Sequence, residues 1–394
     1  MTTVAAPVDP SSNDANLPPH QISSSTSTTG TGITEDEAAL YDRQLRLWGV
    51  EAQNRMRESN VLLCGSFKGI STEVSKNIVL AGVGRVGLCD IGKVEWKDLG
   101  SGYWEREEDI GKYRVEVVAP RLQLLNPRVQ ITTHTLSEEE LLKDENFLNG
   151  FDLIVVTDTD AKTIVSLPLS PSFYVNVTDE LLGLCVKMKM NQVTRKLGKK
   201  FFASSSIGIH GWVFADLLKH DFIIDEQKSS GPGEPTKVVP LKLSHNYCSF
   251  EQALTKHDFS KSGQKKLRKK LFKKREVLWA VLTSLTLELE LEQQSEQSEQ
   301  SQSEEIITLE SFKKKSEIYL TSIGVDSKTE ILTQEVISRF LKMKNHEFAP
   351  SCAIVGGVLG QDVLNAVGGK EEPVRNLMVF DGDLGEAGVW ALGC

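Results

Sequence analysis

The strongest constraint on the fold is a set of short apolar runs, separated by stretches with helical spacing. Val61-Leu62-Leu63-Cys64 stops at Gly65, Val86 to Cys89 stops at Asp90, and Leu153-Ile154-Val155-Val156 stops at Thr157-Asp158. Unbroken apolar runs of this length suit strands buried on both faces of a parallel sheet. Between the first two runs, Gly69 to Leu80 carries Ile70, Val74, Ile78 and Val79 at helical spacing. Tyr113 to Leu125 reads as a helix stopped by Asn126-Pro127, and Val129-Gln130-Ile131-Thr132 alternates as a third strand. Phe201-Phe202-Ala203 adds a further strand. This order predicts an α/β fold, a doubly wound and mostly parallel sheet with helices on both faces.

The regions flanking this pattern differ in composition. Residues 1–33 are rich in Ser, Thr, Pro and Gly and read as a disordered tail. Thr34 and Glu37 form a capping-box pattern that opens a helix through Trp48. Residues 34–225 and 306–394 then form the main domain, and 226–305 a less regular insertion. Inside the insertion, Lys261 to Arg275 holds nine Lys/Arg residues and Glu288 to Glu305 holds seven Glu. The basic stretch reads as a charged amphipathic helix or as a nuclear-localisation patch, and the acidic one as a solvated linker. Ala353 to Val367 is an apolar, Gly-rich helix candidate, and Leu377 to Phe380 a late strand.

Several function classes are disfavoured. Net charge is −9, so nucleic acid is not the default partner. Apolar runs such as Ala353 to Leu359 fall short of the roughly 20 residues of a membrane span. No apolar stretch follows Met1, so no secretory signal is expected. The six cysteines, Cys64, Cys89, Cys185, Cys248, Cys352 and Cys394, include no C-x-x-C pair. That spacing disfavours a zinc ribbon and fits a reducing compartment. No metal site is expected: His210 reads as a packed, hydrogen-bonded histidine. Cys64 and Cys89 read as inert core thiols, and Cys352, at a helix start, as a packing residue.

The turn after the first strand reads Gly65-Ser66-Phe67-Lys68-Gly69. Gly65 and Gly69 could serve a nucleotide turn, and Asp90 is placed like a ribose-binding acid. Phe67-Lys68 stands where a second glycine would admit phosphate. The turn is degenerate, and packing alone explains its glycines equally well. The stretch Tyr41-Asp42-Arg43-Gln44-Leu45-Arg46-Leu47-Trp48-Gly49 is unusual. It reads either as an amphipathic helix with Leu45 and Trp48 inward and the arginines solvated, or as a helix packed across an interface, for which arginine is suited by its planar, always-charged fork.

The segment Tyr41 to Arg57, followed by Val61 to Gly65, resembles the start of the adenylating (ThiF/MoeB-like) domain of ubiquitin-like-protein activating enzymes. In detail it is similar to the smaller, non-catalytic, Aos-type subunits of heterodimeric SUMO-activating enzymes. Asn77 to Gly82, Leu124 to Pro127, Gly208 to Asp216, Phe348 to Gly360 and Phe380-Asp381-Gly382 match as well. The resemblance covers about residues 34–225 and 306–393. It implies a Rossmann-like fold and a larger catalytic partner that binds ATP and Mg²⁺, adenylates the C-terminus of SUMO and takes it onto a cysteine. It implies that this chain supplies Arg43 in trans to the partner's ATP site, and it implies a nuclear location, with a cytoplasmic share left open.

Departures from the active half point the same way. No Asn and Arg that would face a nucleotide follow Asp90, and Arg114 stands where the active half has its phosphate lysine. Leu167 to Val186 looks like an insertion. Three alternatives remain at this point. One is the equivalent subunit for NEDD8 or ubiquitin, one a homodimeric sulfur-carrier adenylating enzyme, and one a nicotinamide-binding dehydrogenase.

Overall fold

The computed structural model describes residues 32–158, 179–228, 237–255, 276–297, 309–322, 332–344 and 346–393. Thr34 closes the capping box with Glu37 and starts α1 (Glu35–Leu40). The helix does not run on through Trp48. Tyr41 interrupts it, and α2 (Asp42–Glu58) follows, kinked at Gly49, which has φ 80°.

The alternation predicted for the next segment is present. It runs β1 (Asn60–Cys64), α3 (Gly69–Leu80), β2 (Arg85–Cys89), α4 (Arg114–Gln123), β3 (Gln130–His134), short helices α5 (Glu138–Lys143) and α6 (Glu145–Asn149), and β4 (Leu153–Val156). Helix α7 (Asp179–Lys196) leads to β5 (Lys200–Ile207), β6 (His210–Asp216) and a two-stranded ribbon of β7 (Lys219–Lys228) and β8 (Lys237–Asn246). The rest comprises α8 (Phe250–Thr255), α9 (Glu276–Gln297), α10 (Leu309–Ser322), α11 (Gln334–Met343), α12 (Ala349–Gly368), β9 (Leu377–Asp381) and β10 (Glu386–Trp390).

The main sheet has the order β10-β9-β6-β5-β4-β1-β2-β3. Strands β3 to β5 in that order pair in parallel, and β6, β9 and β10 extend the sheet antiparallel. The chain leaves β1 in one direction through β2 and β3 and returns on the other side through β4. The carboxyl ends of β1, β2 and β4 therefore lie side by side at the point where strand order reverses, the usual location of a ligand crevice.

Both faces of the sheet are buried. Leu62 and Cys64 belong to one apolar cluster, and Val61 and Leu63 to another. Residues in sequence alternate between faces of a strand, so an unbroken apolar run is what such a strand requires. Met56 of α2, α3, α4 and α12 cover the second cluster. Helices α7 to α11 cover the first. The apolar run from Ala353 belongs to a 20-residue helix with a mean hydropathy of 1.2, long and apolar enough to cross a membrane by those criteria alone, yet 72% buried inside the protein.

Two readings of the 226–305 region change. Val277, Leu278, Trp279, Val281, Leu282 and Leu285 of α9 are buried in the first cluster, so this stretch is core. The acidic run does not begin as a solvated linker: α9 continues through its first part to Gln297. Glu288 is buried, pairs with Lys344 at 3.1 Å and accepts a hydrogen bond from Ser284 at 2.7 Å. The cause is a lysine from α11's end that compensates the acid, a long-range contact no local pattern reveals. The basic stretch 261–275, the tail 1–31, the later acidic residues 298–305 and most of the apparent insertion at 167–186 lie outside the described residues.

Trp279→Ala tests whether α9 is core. Removing a buried tryptophan side chain costs about 3–5 kcal/mol, so the chain should lose most of its cooperative thermal transition. An unchanged midpoint would mean that α9 is dispensable to the fold.

Candidate functional site

The crevice at the reversal point is built by the turn after β1. Gly65 adopts φ 108°, and a Cβ there would lie 2.5 Å from the carbonyl oxygen of Asp158. That approach admits only glycine. The next amide, of Ser66, donates to the same carbonyl at 2.5 Å, which ties β1's turn to the end of β4. At Gly69 a Cβ would meet Cys352 at 2.6 Å, so this glycine lets α3 pack on α12.

The structure brings Gly65, Gly69 and Asp90 together, but its own side chains fill the space between them. Phe67 turns into the second cluster and is fully buried. Asp90 is 6% exposed and accepts from the amides of Phe67 (3.0 Å) and Gly92 (2.6 Å). Its remaining demand is met by Arg114 Nη1 at 3.2 Å, while Arg114 Nε donates to Asp98 Oδ2 at 2.8 Å. Arg114 is 1% exposed, and a Cβ on Gly92 would stand 1.9 Å from its guanidinium. One arginine thus holds two buried carboxylates. Phe67 stands out in the sequence as the departure from a glycine turn, whereas Asp98 does not draw notice there. The only available sign is that a buried arginine needs anions.

A second group of buried charges lies beyond the turn. Asp158 accepts from the amide and hydroxyl of Ser206, and Lys187 donates to Ser205 at 2.6 Å. Burial raises the carboxyl of Asp158 above its ordinary range, against the pull of Lys187. Glu347 is raised in the same way by burial and by the nearby charge of Asp158, against Lys68 and the hydroxyl of Ser101. Two neighbouring buried acids resist ionising together. Asp158, Lys187, Ser205, Trp212, Ser284 and Glu288 line a cavity of about 40 Å³. That is room for a few water molecules, against the roughly 300–1,000 Å³ of a typical small-molecule site.

The other sequence candidates have structural settings. Cys352 is buried, and burial, with Glu347 and Asp158, drives its thiol above the usual range, the reverse of activation. Cys64 and Cys89 are buried in their strands. His210 is 1% exposed, and its Nδ1 accepts the amide of Gly382 at 3.1 Å. Asp381 and Asp383 stand close enough to form a metal-like triplet with it. Arg339 holds Asp383 at 2.5 Å, and amides of the Asp383 turn hold Asp381. Burial lowers the His210 pKa, against the pull of Asp381 and Asp383.

The α2 helix presents the remaining candidate. Arg43 is exposed, and among the described residues it makes no hydrogen bond or ion pair. Arg46, also exposed, is paired with Asp42 one turn back at 3.1 Å. Leu45 and Trp48 are half-buried, and Leu47 and Val50 are 72% and 55% exposed.

The ThiF family pattern matches residues 41–387, and the chain belongs to the ThiF family. The SUMO-activating enzyme subunit 1 of Bos taurus is 32% identical over 378 residues, covering 92% of this chain and 97% of that protein. The human protein of the same name is 31% identical with the same coverage. The DNA damage tolerance protein RHC31 of Saccharomyces cerevisiae is 31% identical over 364 residues, 89% of this chain and 95% of that one. Within the ThiF family, this chain stands with the smaller subunits of SUMO-activating enzymes. Among solved structures, MccB of E. coli with MccA-N7isoASN superposes with a TM-score of 0.50 at 14% identity, over 90% of this chain and 72% of that one. That likeness concerns the fold alone.

Beside the filled turn, both carboxylate oxygens of Glu105 are buried without a hydrogen-bond partner among the described residues. Burial, reinforced by Asp98, pushes its pKa up from 4.5 to about 7. The folded chain thus holds a proton that the unfolded chain gives up. The stability from this group is complete below pH 4.5 and is lost as pH rises through about 7, a change of about 3 kcal/mol. Glu105→Gln should flatten that loss and raise the thermal midpoint more at pH 8 than at pH 5. Equal gains at both pH values would mean that Glu105 is ordinary in the folded state.

Proposed function

We propose that this chain is the supporting subunit of a heterodimeric enzyme that adenylates the C-terminus of SUMO with ATP and passes it to a cysteine of the larger subunit. The observation that carries the reading is the contrast between the two polar features of the fold. The degenerate turn after β1 is satisfied from within, by Phe67 in its bend and Arg114 on Asp90. Arg43 of α2 is exposed, with no ion pair among the described residues. The residues around Gly65, Gly69 and Asp90 do not fit a nucleotide, because an adenosine hydroxyl would have to displace a buried guanidinium from Asp90. ATP and Mg²⁺ therefore belong to the partner subunit. The names of the relatives favour SUMO over NEDD8 or ubiquitin.

In this reading Arg43 reaches the triphosphate in the partner's site. Adenylation moves negative charge onto the departing pyrophosphate, and a preorganised guanidinium stabilises that charge without reorganisation during the step. Its planar fork also fits a phosphate bidentately. The exposed Leu47 and Val50 of α2, and Ile354 on the outer face of α12, 46% exposed, support a partner surface around this helix. An obligate interface of this kind buries about 2,000 Å² or more. A nuclear location belongs to the same proposal.

Two outcomes test it. The pure chain should give no ATP–pyrophosphate exchange with any ubiquitin-like protein; robust exchange would promote the homodimeric alternative. In the complex, Arg43→Ala should assemble normally and slow exchange by about 10²–10³, or about 2.7–4 kcal/mol. Arg46→Ala is the control, because its guanidinium is already engaged by Asp42. Equal losses for both variants, or dissociation of the Arg43→Ala complex, would reduce the helix to an interface element.

A further inference from the structure

The segment that carries Arg43 is poorly equipped to hold its own direction. From Asp42 to the kink at Gly49 it spans barely two turns, and no side-chain hydrogen bond caps its start. An isolated helix of that length is unstable in water. The faces of Asp42, Arg43, Arg46 and Leu47 are exposed. Its direction must come from what anchors the few residues that point inward.

Those anchors converge on the turn that closes α3. Tyr41, at the α1–α2 junction, is 5% exposed. Its hydroxyl accepts the side-chain amide of Asn126 at 2.8 Å, and the same nitrogen donates to the carbonyl of Val79 at 2.9 Å. Asn126 is itself buried. Its Oδ1 accepts the amide of Arg128 at 3.2 Å, so the loop after α4 orients it. Under the Tyr41 ring lies Gly82, with φ 81°, where a Cβ would come within 2.5 Å of the hydroxyl oxygen. Gln44 adds a bond to the carbonyl of Leu80 at 3.3 Å. The tyrosine is thus wedged between a glycine that cannot be replaced and an asparagine that cannot turn, two residues before Arg43.

We propose that Tyr41, locked by Asn126, is the positioning residue for Arg43. The inference rests on the role in trans proposed above. Among the described residues Arg43 has no hydrogen bond or ion pair of its own to aim it. Tilting the first turn of α2 would swing the guanidinium at the end of a long side chain. Misplacing a reacting or stabilising group by about 1 Å can cost on the order of 10²-fold in rate. The phenol oxygen sets the tilt and the ring supplies the packing, so the two contributions separate in Tyr41→Phe.

The experiment uses the assembled complex, with pyrophosphate exchange measured per mole of heterodimer at saturating ATP and SUMO. Tyr41→Phe should lower kcat about tenfold and leave the KM for SUMO unchanged. The double variant Tyr41→Phe/Arg43→Ala should be no slower than Arg43→Ala alone, because an aim is lost only once. A merely structural tyrosine would lower the thermal midpoint or the yield of complex and leave kcat per assembled heterodimer intact. Asn126→Ser breaks the same bond from the other side and should reproduce the loss in kcat. A wild-type kcat for Tyr41→Phe, or losses that multiply in the double variant, would overturn the proposal. So would failure of both single variants to assemble, which would assign the pair to folding. A wild-type rate for Arg43→Ala would sink the reading of Arg43 and this proposal with it. A slow Arg43→Ala beside a normal Tyr41→Phe would sink the proposal alone.

Discussion

Burial of a parallel sheet on both faces is the constraint from which the rest of the molecule follows. Parallel strands need crossovers, the crossovers are helices, and the helices cover both faces. Two apolar clusters result, one on each side, and β1 contributes alternate residues to both. Much of the buried charge then gathers at the carboxyl edge of the strands. There the chain concentrates Asp90, Asp158, Glu347, Lys187 and Arg114, all of them wholly or largely withdrawn from water.

That edge is dangerous as well as useful. Removing one partner of a buried ion pair typically costs about 3–5 kcal/mol, because it strands the other charge. This chain answers with internal compensation: Arg114 serves Asp90 and Asp98, and Lys344 serves Glu288. Where compensation is incomplete, at Glu105, the carboxyl remains protonated toward neutral pH. Arg43, by contrast, is exposed on α2, whose start packs through Tyr41 against Gly82 and Asn126.

The strands and helices of the sheet were legible because each depends on residues close in sequence. The run Val61 to Cys64, the spacing of Ile70, Val74 and Ile78, and the capping box at Thr34 all act locally. The break at Tyr41 was not legible, since the periodicity continues across it and the reason lies at Asn126, 85 residues away. The depth of α9 was hidden for a similar reason. Its apolar residues run nearly all round, and Glu288 reads as solvated until Lys344 is placed beside it. At the nucleotide turn, the missing middle glycine was visible. What filled the space was not, because Arg114 meets Asp90 only across the fold.

A pocket occupied by its own side chains cannot be reopened one substitution at a time. Replacing Arg114 alone would take a buried counter-charge from Asp90 and Asp98 together, and replacing either acid would leave the arginine with one of its two carboxylates. Enlarging Gly92 is blocked by the same guanidinium. Each change fixes the others, so the arrangement works as a ratchet. Opening this crevice would therefore take coordinated replacement of Arg114 and its two carboxylates, not a single substitution.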